Sequence, residues 1–203
     1  MKNLILFSGF VCVFGLISGF ARADTIRLTN ADVVRENGKI TVKCKSGADR
    51  VYLRTLPNGY LDLNVNGSHL TFTQAEAFGM EIRGGDGNDE IMVDSNVRLG
   101  LKLKGNDGND YLQGGSGNDE IEGGDGADTI NGGGGSDVIE GNDGNDRING
   151  GGGRDDVRGN SGSDTYVNGN RTTREREVVR VQPRTVYVRP YYHPRNRVVV
   201  RVP

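Results

Sequence analysis

Aspartate recurs at a nine-residue interval through the middle of this 203-residue chain. Glycine stands five and two residues before each of these aspartates, and an apolar residue stands two positions after it. Carboxylates and backbone carbonyls are the oxygen ligands that a hard cation such as calcium takes. Glycine permits tight turns and leaves the neighbouring carbonyls accessible. The spacing therefore predicts a series of turns that offer oxygen atoms to calcium.

Eight copies of a nonapeptide carry this pattern. They read GGDGNDEIM from Gly84, GNDGNDYLQ from Gly105, GGSGNDEIE from Gly114, GGDGADTIN from Gly123, GGGGSDVIE from Gly132, GNDGNDRIN from Gly141, GGGGRDDVR from Gly150 and GNSGSDTYV from Gly159. Position six is aspartate in every copy, and we predict these residues as metal ligands: Asp89, Asp110, Asp119, Asp128, Asp137, Asp146, Asp155 and Asp164. At position three, where four copies have aspartate (Asp86, Asp107, Asp125 and Asp143), we expect the backbone carbonyl to contribute more than the side chain.

Two nonapeptides are long enough to form one coil, with a short strand at positions seven to nine and one inward-facing residue at position eight. Alternate copies would then stack, so that Asp110, Asp128, Asp146 and Asp164 form one column and Asp119, Asp137 and Asp155 form another. Stacked strands lie about 4.8 Å apart. Two carboxylates at that distance repel by about 1 kcal/mol in water and by about 3–4 kcal/mol at an effective dielectric near 20. Because such columns oppose folding unless cations lie between them, we predict that metal binding and folding are coupled.

The pattern G-G-x-G-x-D-x-U-x, in which U is a large apolar residue, resembles the RTX, or hemolysin-type, calcium-binding repeat. The resemblance covers residues 84–167. It implies a parallel β-roll in which several calcium ions lie between turns, bound by the position-six aspartates and by backbone carbonyls.

Two departures from the period lie near the start of the repeats. Asp89 and Asp110 are 21 residues apart rather than 18, which leaves the partner of Asp89 open. The apolar residues Val97, Leu99, Leu101 and Leu103 alternate between them and favour an ordinary β coil without calcium turns. Residues 47–51 look like a worn copy of the repeat, so residues 47–83 could supply the capping coils that a solenoid needs.

Residues 1–23 have the features of a secretory signal peptide. Lys2 precedes an apolar stretch, and Ala21-Arg22-Ala23 fits a cleavage site. An uncleaved membrane anchor is the alternative, but the stretch is short for a membrane span and contains three glycines. We expect cleavage to leave no transmembrane span and the mature protein to be secreted, with the periplasm, the cell surface and the medium all open as destinations.

Residues 24–83 have the alternation and turn signals of a β-rich cap. Ile40, Val42 and Cys44 would share one strand face, and Pro57-Asn58-Gly59 and Asn66-Gly67 are typical of turns. Cys44 is the one cysteine outside the signal segment, so no intrachain disulfide can form after cleavage. A buried apolar role for Cys44 is favoured over an intermolecular disulfide.

Residues 168–203 form a basic tail of different composition. Nine arginines, three tyrosines and four of the five prolines lie between Arg171 and Pro203. One hypothesis is that this segment contacts an acidic polysaccharide or another polyanion. The other is that it is a solvated tail.

Nothing in the sequence favours catalysis. The chain has two histidines, His69 and His193, and no H-E-x-x-H motif. The interpretation is an all-β protein: a β-rich cap, a calcium-loaded parallel β-roll and a basic C-terminal tail. Its expected function is calcium binding by a secreted, non-enzymatic protein; a surface or matrix binding module that uses the tail is the alternative.

Overall fold

The structure is a computed structural model that describes residues 24–167 and two short segments before them, Leu4–Ile5 and Cys12–Val13. Most of the predicted signal peptide and the whole basic tail, including the predicted polyanion-binding segment Arg171–Pro203, lie outside the described residues. Within the part that is described, no helix has the length and apolarity needed to cross a membrane.

The described residues form an all-β fold, as predicted. The strands are β1 (Leu4–Ile5), β2 (Cys12–Val13), β3 (Asp24–Arg27), β4 (Ala31–Glu36), β5 (Lys39–Cys44), β6 (Arg50–Thr55), β7 (Leu61–Val65), β8 (Ser68–Phe72), β9 (Glu81–Asp86), β10 (Glu90–Val93), β11 (Lys102–Asp107), β12 (Tyr111–Gln113), β13 (Glu120–Asp125), β14 (Thr129–Asn131), β15 (Val138–Asp143), β16 (Arg147–Asn149), β17 (Asp156–Ser161) and β18 (Thr165–Tyr166).

Two nine-stranded sheets contain all of these strands. One sheet has the order β1-β3-β4-β5-β9-β11-β13-β15-β17, and the other has the order β18-β16-β14-β12-β10-β6-β7-β8-β2. Pairing is antiparallel from β3 to β5 and from β6 to β8, and it is parallel from β5 and β6 onward into the repeats. The cap and the β-roll therefore share both sheets.

Tight turns close the hairpins of the cap. Asn66-Gly67 joins β7 to β8 with φ values of 51° and 83°, and Asn37-Gly38 joins β4 to β5 with φ values of 52° and 78°. Asparagine and glycine tolerate this left-handed conformation, which matches the twist of the flanking strands. The first of these turns and the burial of Ile40, Val42 and Cys44 confirm the sequence prediction.

The repeats form a parallel β-solenoid with a thin core. Each coil places one strand in each sheet, and the position-eight side chain of each strand points between the sheets. The position-eight residues Ile91, Leu112, Ile121, Ile130, Ile139, Ile148 and Val157 are all buried, and Tyr166 at the end of the solenoid packs against them. The predicted inward position is therefore confirmed.

The segment between β10 and β11, where the alternation of apolar residues favoured an ordinary β coil, is mostly a turn. Only Leu103 lies on a strand; Val97 and Leu101 are buried in a turn that runs from Asp94 to Leu101. The Val97 N–H donates to the Asp94 carbonyl at 2.9 Å and closes this turn. The three additional residues of this coil make the turn longer, while the register of β9 and β11 is kept.

Candidate metal centre

The position-six aspartates stand immediately before strands and stack in two columns. One column contains Asp89, Asp110, Asp128, Asp146 and Asp164, with Asp49 of the cap as its first member. The other contains Asp119, Asp137 and Asp155. Both columns occur as predicted, and the partners of Asp89 are now defined as Asp49 and Asp110.

A hydrogen bond joins each step of a column. The backbone N–H of one aspartate donates to Oδ1 of the aspartate one coil later: Asp110 donates to Asp128 at 2.8 Å, and Asp89 donates to Asp110 at 2.7 Å. The step between Asp89 and Asp110 has the same contact as the 18-residue steps, because the extra residues loop out on the other side of the coil. These hydrogen bonds fix the orientation of every carboxylate.

The second carboxylate oxygen is left without a hydrogen-bond partner along most of the ladder. Oδ2 is buried and unpartnered in Asp49, Asp89, Asp110, Asp128, Asp137 and Asp146. A buried charged oxygen without a partner is costly. Since this cost recurs at successive steps of the longer column and at the same atom, the residues fit a cation that interacts with Oδ2.

Glycine at position one lies directly against these oxygens. A Cβ on Gly132 would sit 2.5 Å from Asp137 Oδ2 and 2.5 Å from the carbonyl oxygen of Gly150, one coil later. Real Cβ atoms do not approach other atoms this closely. The carboxylate of one turn and a carbonyl of the next turn thus converge beside the glycine, which is the mixed oxygen chemistry that calcium takes.

Positive φ angles occur at positions two and four, and none occurs at position one, although it is glycine in every copy. All copies except the one from Gly114 follow this rule; Gly124 and Gly126, for example, have φ values of 128° and 125°. Position two is asparagine in three copies, and Asn106, Asn142 and Asn160 also adopt positive φ. Position one is glycine because a side chain there would have no space.

Burial raises the pKa values of the ladder carboxyls. The pKa rises to about 7 in Asp110 and Asp137 and to about 6 in Asp89, Asp119 and Asp146, and it also rises in Asp128. Desolvation is the largest cause in each, and neighbouring carboxylates add to it in most. Backbone N–H donors oppose the shift. A nearby cation would favour the ionised form.

The copy from Gly114 differs from the others. Asp119 accepts a hydrogen bond from Leu101 N–H at Oδ1 and one from Gly115 N–H at Oδ2 (2.8 and 2.9 Å), so both of its oxygens have partners. In the coil before Asp119, Leu101 stands at the position that an aspartate occupies in the other steps. This end of the column is therefore closed by backbone donors.

Position five forms a second ladder that the sequence reasoning missed. Asn109 Oδ1 accepts the Ala127 N–H at 2.7 Å, and Asn145 Oδ1 accepts the Ser163 N–H at 2.8 Å. Asparagine in several copies of position five was the available signal. The position-three side chains Asp86, Asp107, Asp125 and Asp143 are exposed, and their carbonyls accept backbone N–H groups from the preceding coil.

Within the described residues, no group of three or more histidine, cysteine, aspartate or glutamate side chains is placed to hold a metal ion. Each step brings together two aspartates, so side chains alone cannot complete a calcium shell of six to eight oxygens. Backbone carbonyls and water would have to supply the remainder. The regular glycine turns provide such carbonyls.

A parallel solenoid with a ladder of buried carboxylates beside glycine turns defines a calcium-binding β-roll. Residues 81–95, 104–139 and 131–166 match the family model described as RTX calcium-binding nonapeptide repeat (4 copies). The repeat region of this chain thus belongs to the RTX, or hemolysin-type, repeat family. Searches of curated proteins and of solved structures gave no match.

Proposed function

We propose that this protein is exported and that its β-roll folds when calcium binds outside the cytoplasm. The observation that carries the proposal is the column of buried Oδ2 atoms without hydrogen-bond partners, from Asp89 to Asp146. Bound calcium supplies the positive charge that these stacked carboxylates lack. Without it, the coils bring like charges together in a buried place, and this opposes the stacking that forms the core.

Export is part of the proposal because the two environments differ in calcium. Extracellular calcium modules have dissociation constants of about 10⁻⁴–10⁻³ M. Sites of this strength would be empty in the cytoplasm and filled outside. The signal-peptide features of residues 1–23 and the general secretion of RTX repeat proteins support this route.

We also propose that the protein acts by binding rather than by catalysis. The ladder carboxylates are fixed by backbone N–H donors, an arrangement suited to a cation. His69 contacts Asp62 through Nδ1 at 2.9 Å and Asn64 through Nε2 at 3.3 Å on a strand of the cap. These contacts give the histidine a structural role.

The proposal is tested by far-ultraviolet circular dichroism of the full chain during titration with calcium, with magnesium as the control. We expect a cooperative gain of β signal with calcium at sub-millimolar to millimolar concentrations. Magnesium, which prefers a tighter octahedral shell, should produce much less. A spectrum that calcium leaves unchanged would refute calcium-coupled folding.

A further inference from the structure

Asp49, the first member of the longer aspartate column, lies in the cap, outside the residues that match the repeat family. We propose that Asp49 and Asp89 form an additional calcium site that joins the cap to the β-roll. The inference rests on the proposed function, because it extends calcium binding by one step. It concerns a turn, residues 44–49, that lacks the glycines of positions one and two.

The backbone of this turn reproduces the contacts of a repeat step. Gly47 N–H donates to the Asp86 carbonyl at 2.7 Å, as Gly87 N–H donates to the Asp107 carbonyl at 2.7 Å. Asp49 N–H donates to Asp89 Oδ1 at 2.8 Å, in the manner of the next step of the column.

The same correspondence extends to the carbonyls at the start of the turn. The carbonyl oxygens of Cys44 and Lys45 face Gly85, as those of Gly114 and Gly115 face Gly133. Gly47 also has a positive φ of 94°, like position four of the repeats. The turn therefore shares these backbone contacts with the repeat steps, while Lys45 at position two lacks the positive φ that most copies have there.

The carboxylate of Asp49 is buried and oriented like the others. Its side chain is 1% exposed, and Oδ2 has no hydrogen-bond partner. No coil precedes it to donate a backbone N–H, but Asn30 Nδ2 and Asn66 Nδ2 each donate to Asp49 Oδ1 at 2.5 Å. The two amides satisfy the oxygen that the ladder normally satisfies and leave Oδ2 for a cation.

Positively charged side chains near this turn pair elsewhere. Lys45 Nζ lies 3.4 Å from Asp32, and Arg50 Nε lies 3.1 Å from Glu90. Neither pair neutralises Asp49 or Asp89. Cys44 occupies position one, so a side chain stands where the repeats have glycine, and we expect this site to bind calcium more weakly than the roll.

The test counts calcium ions per full-length chain by equilibrium dialysis, for the native protein, Asp49→Asn and Asp94→Asn. The Asn30 and Asn66 donors would hold the amide oxygen of Asp49→Asn and turn its NH₂ toward the site. We expect Asp49→Asn to bind one ion fewer than the native chain. Asp94→Asn removes the same charge outside the columns and should bind the native number.

Equal ion counts in native protein and Asp49→Asn would overturn the inference and leave the proposed function intact. A native chain that binds no calcium would instead refute the proposed function itself. If Asp49→Asn fails to fold, the NMR resonances of the Gly47 and Asp49 backbone amides in the native chain test the inference instead. Calcium-dependent shifts at these amides in a second, weaker phase support the site; amides that stop shifting once the roll is saturated overturn it.

Discussion

The first and fourth positions of each nonapeptide are glycine for partly different physical reasons. Position four needs a left-handed backbone as well as space: Gly126 has a φ of 125°, and a Cβ there would clash with the Gly108 carbonyl oxygen. Position one needs space, because a Cβ on Gly123 would meet Asp128 Oδ2 and the Gly141 carbonyl at less than 3.0 Å. The nine-residue pattern reveals that both positions must be glycine, but only the coordinates separate the two reasons.

Gly123→Ala should therefore weaken both calcium binding and the fold. The added methyl group must displace a carboxylate oxygen and a backbone carbonyl, and neither is the flexible end of a long side chain. Gly134→Ala is the matched control, because its nearest neighbours are 3.7 Å away and its φ is not positive. The calcium concentration at the folding midpoint should rise and the melting temperature should fall only for the first variant; equal effects would mean that lack of space does not explain position one.

Asp128→Asn should raise the calcium concentration at half-saturation at least about tenfold, since changes even around a metal's direct ligands typically cost 10–100-fold in affinity. Asp128 is 1% exposed and its Oδ2 has no hydrogen-bond partner. The control is Asp125→Asn, which removes the same charge from an exposed side chain three residues earlier in the same copy. Calorimetric titration of the two variants separates ligation from overall charge, and a similar loss in both would contradict a ligand role for Asp128.

At the scale of elements, most strands of the roll contribute one buried apolar side chain to a thin core, and β10 contributes two, Ile91 and Val93. Ile139 on β15 is 0% exposed, and its neighbour Val138 is 43% exposed. Ile139→Ala should lower the free energy of unfolding by about 2–5 kcal/mol. Val138→Ala should change it by less than about 0.5 kcal/mol. Urea unfolding in saturating calcium measures both, and a small loss for Ile139→Ala would show that the coil can collapse around the cavity.

The outer face of β17 carries Arg158, which lies only three residues after Asp155 in the sequence. Arg158 forms ion pairs of 2.8 Å with Glu140 on β15 and with Asp156 on its own strand. Its side chain thus lies on the outer face of the sheet, and the Asp155 column lies on the inner side of the turn. Spacing along the chain brought Arg158 close to the site, whereas the alternation of strand faces keeps it apart.

Strict repetition decides which elements could be predicted from the sequence. Eight copies of one pattern predicted strands at positions seven to nine, the buried position and both columns, because each copy confirms the others. In one sheet the strands also extend over positions one to three of the next copy, as β13 does. The turn from Asp94 to Leu101 occurs once, and its alternating apolar residues resemble a strand although Val97 and Leu101 are buried in a turn. Asp49 was recognisable as part of a worn copy, but its stacking on Asp89 depends on the antiparallel hairpins of the cap, which no short motif describes.

At the scale of the whole molecule, two continuous sheets connect the cap to the roll, and the aspartate column runs across their junction. The cap begins with antiparallel hairpins that bury their own apolar residues, such as Leu63 and Leu70. Most strands of the roll have only one such residue, and the roll carries most of the buried carboxylates. We therefore expect the cap to template the first coil, and each further coil to need neutralised carboxylates if folding is coupled to calcium as proposed.

Protons and calcium should compete for the ladder carboxylates. A lower pH should therefore stabilise the calcium-free fold and weaken calcium binding. The pKa of Asp110 is raised in the folded state from 3.8 to about 7, and that of Asp146 to about 6. The folded state then binds protons more tightly than the unfolded state. This contribution to stability is complete below the unfolded pKa and is lost as the pH rises through 6 to 7.

Lowering the pH from about 8 to about 5 should accordingly increase the folded fraction of calcium-free protein. The same change should raise the calcium concentration at the folding midpoint, because protons occupy the oxygens that calcium needs. Circular dichroism at constant ionic strength, in a chelator and across a calcium series, measures both trends. If calcium-free protein instead lost structure steadily over this range, desolvation of the ladder carboxylates would not be what opposes folding, and the requirement for calcium would need another cause.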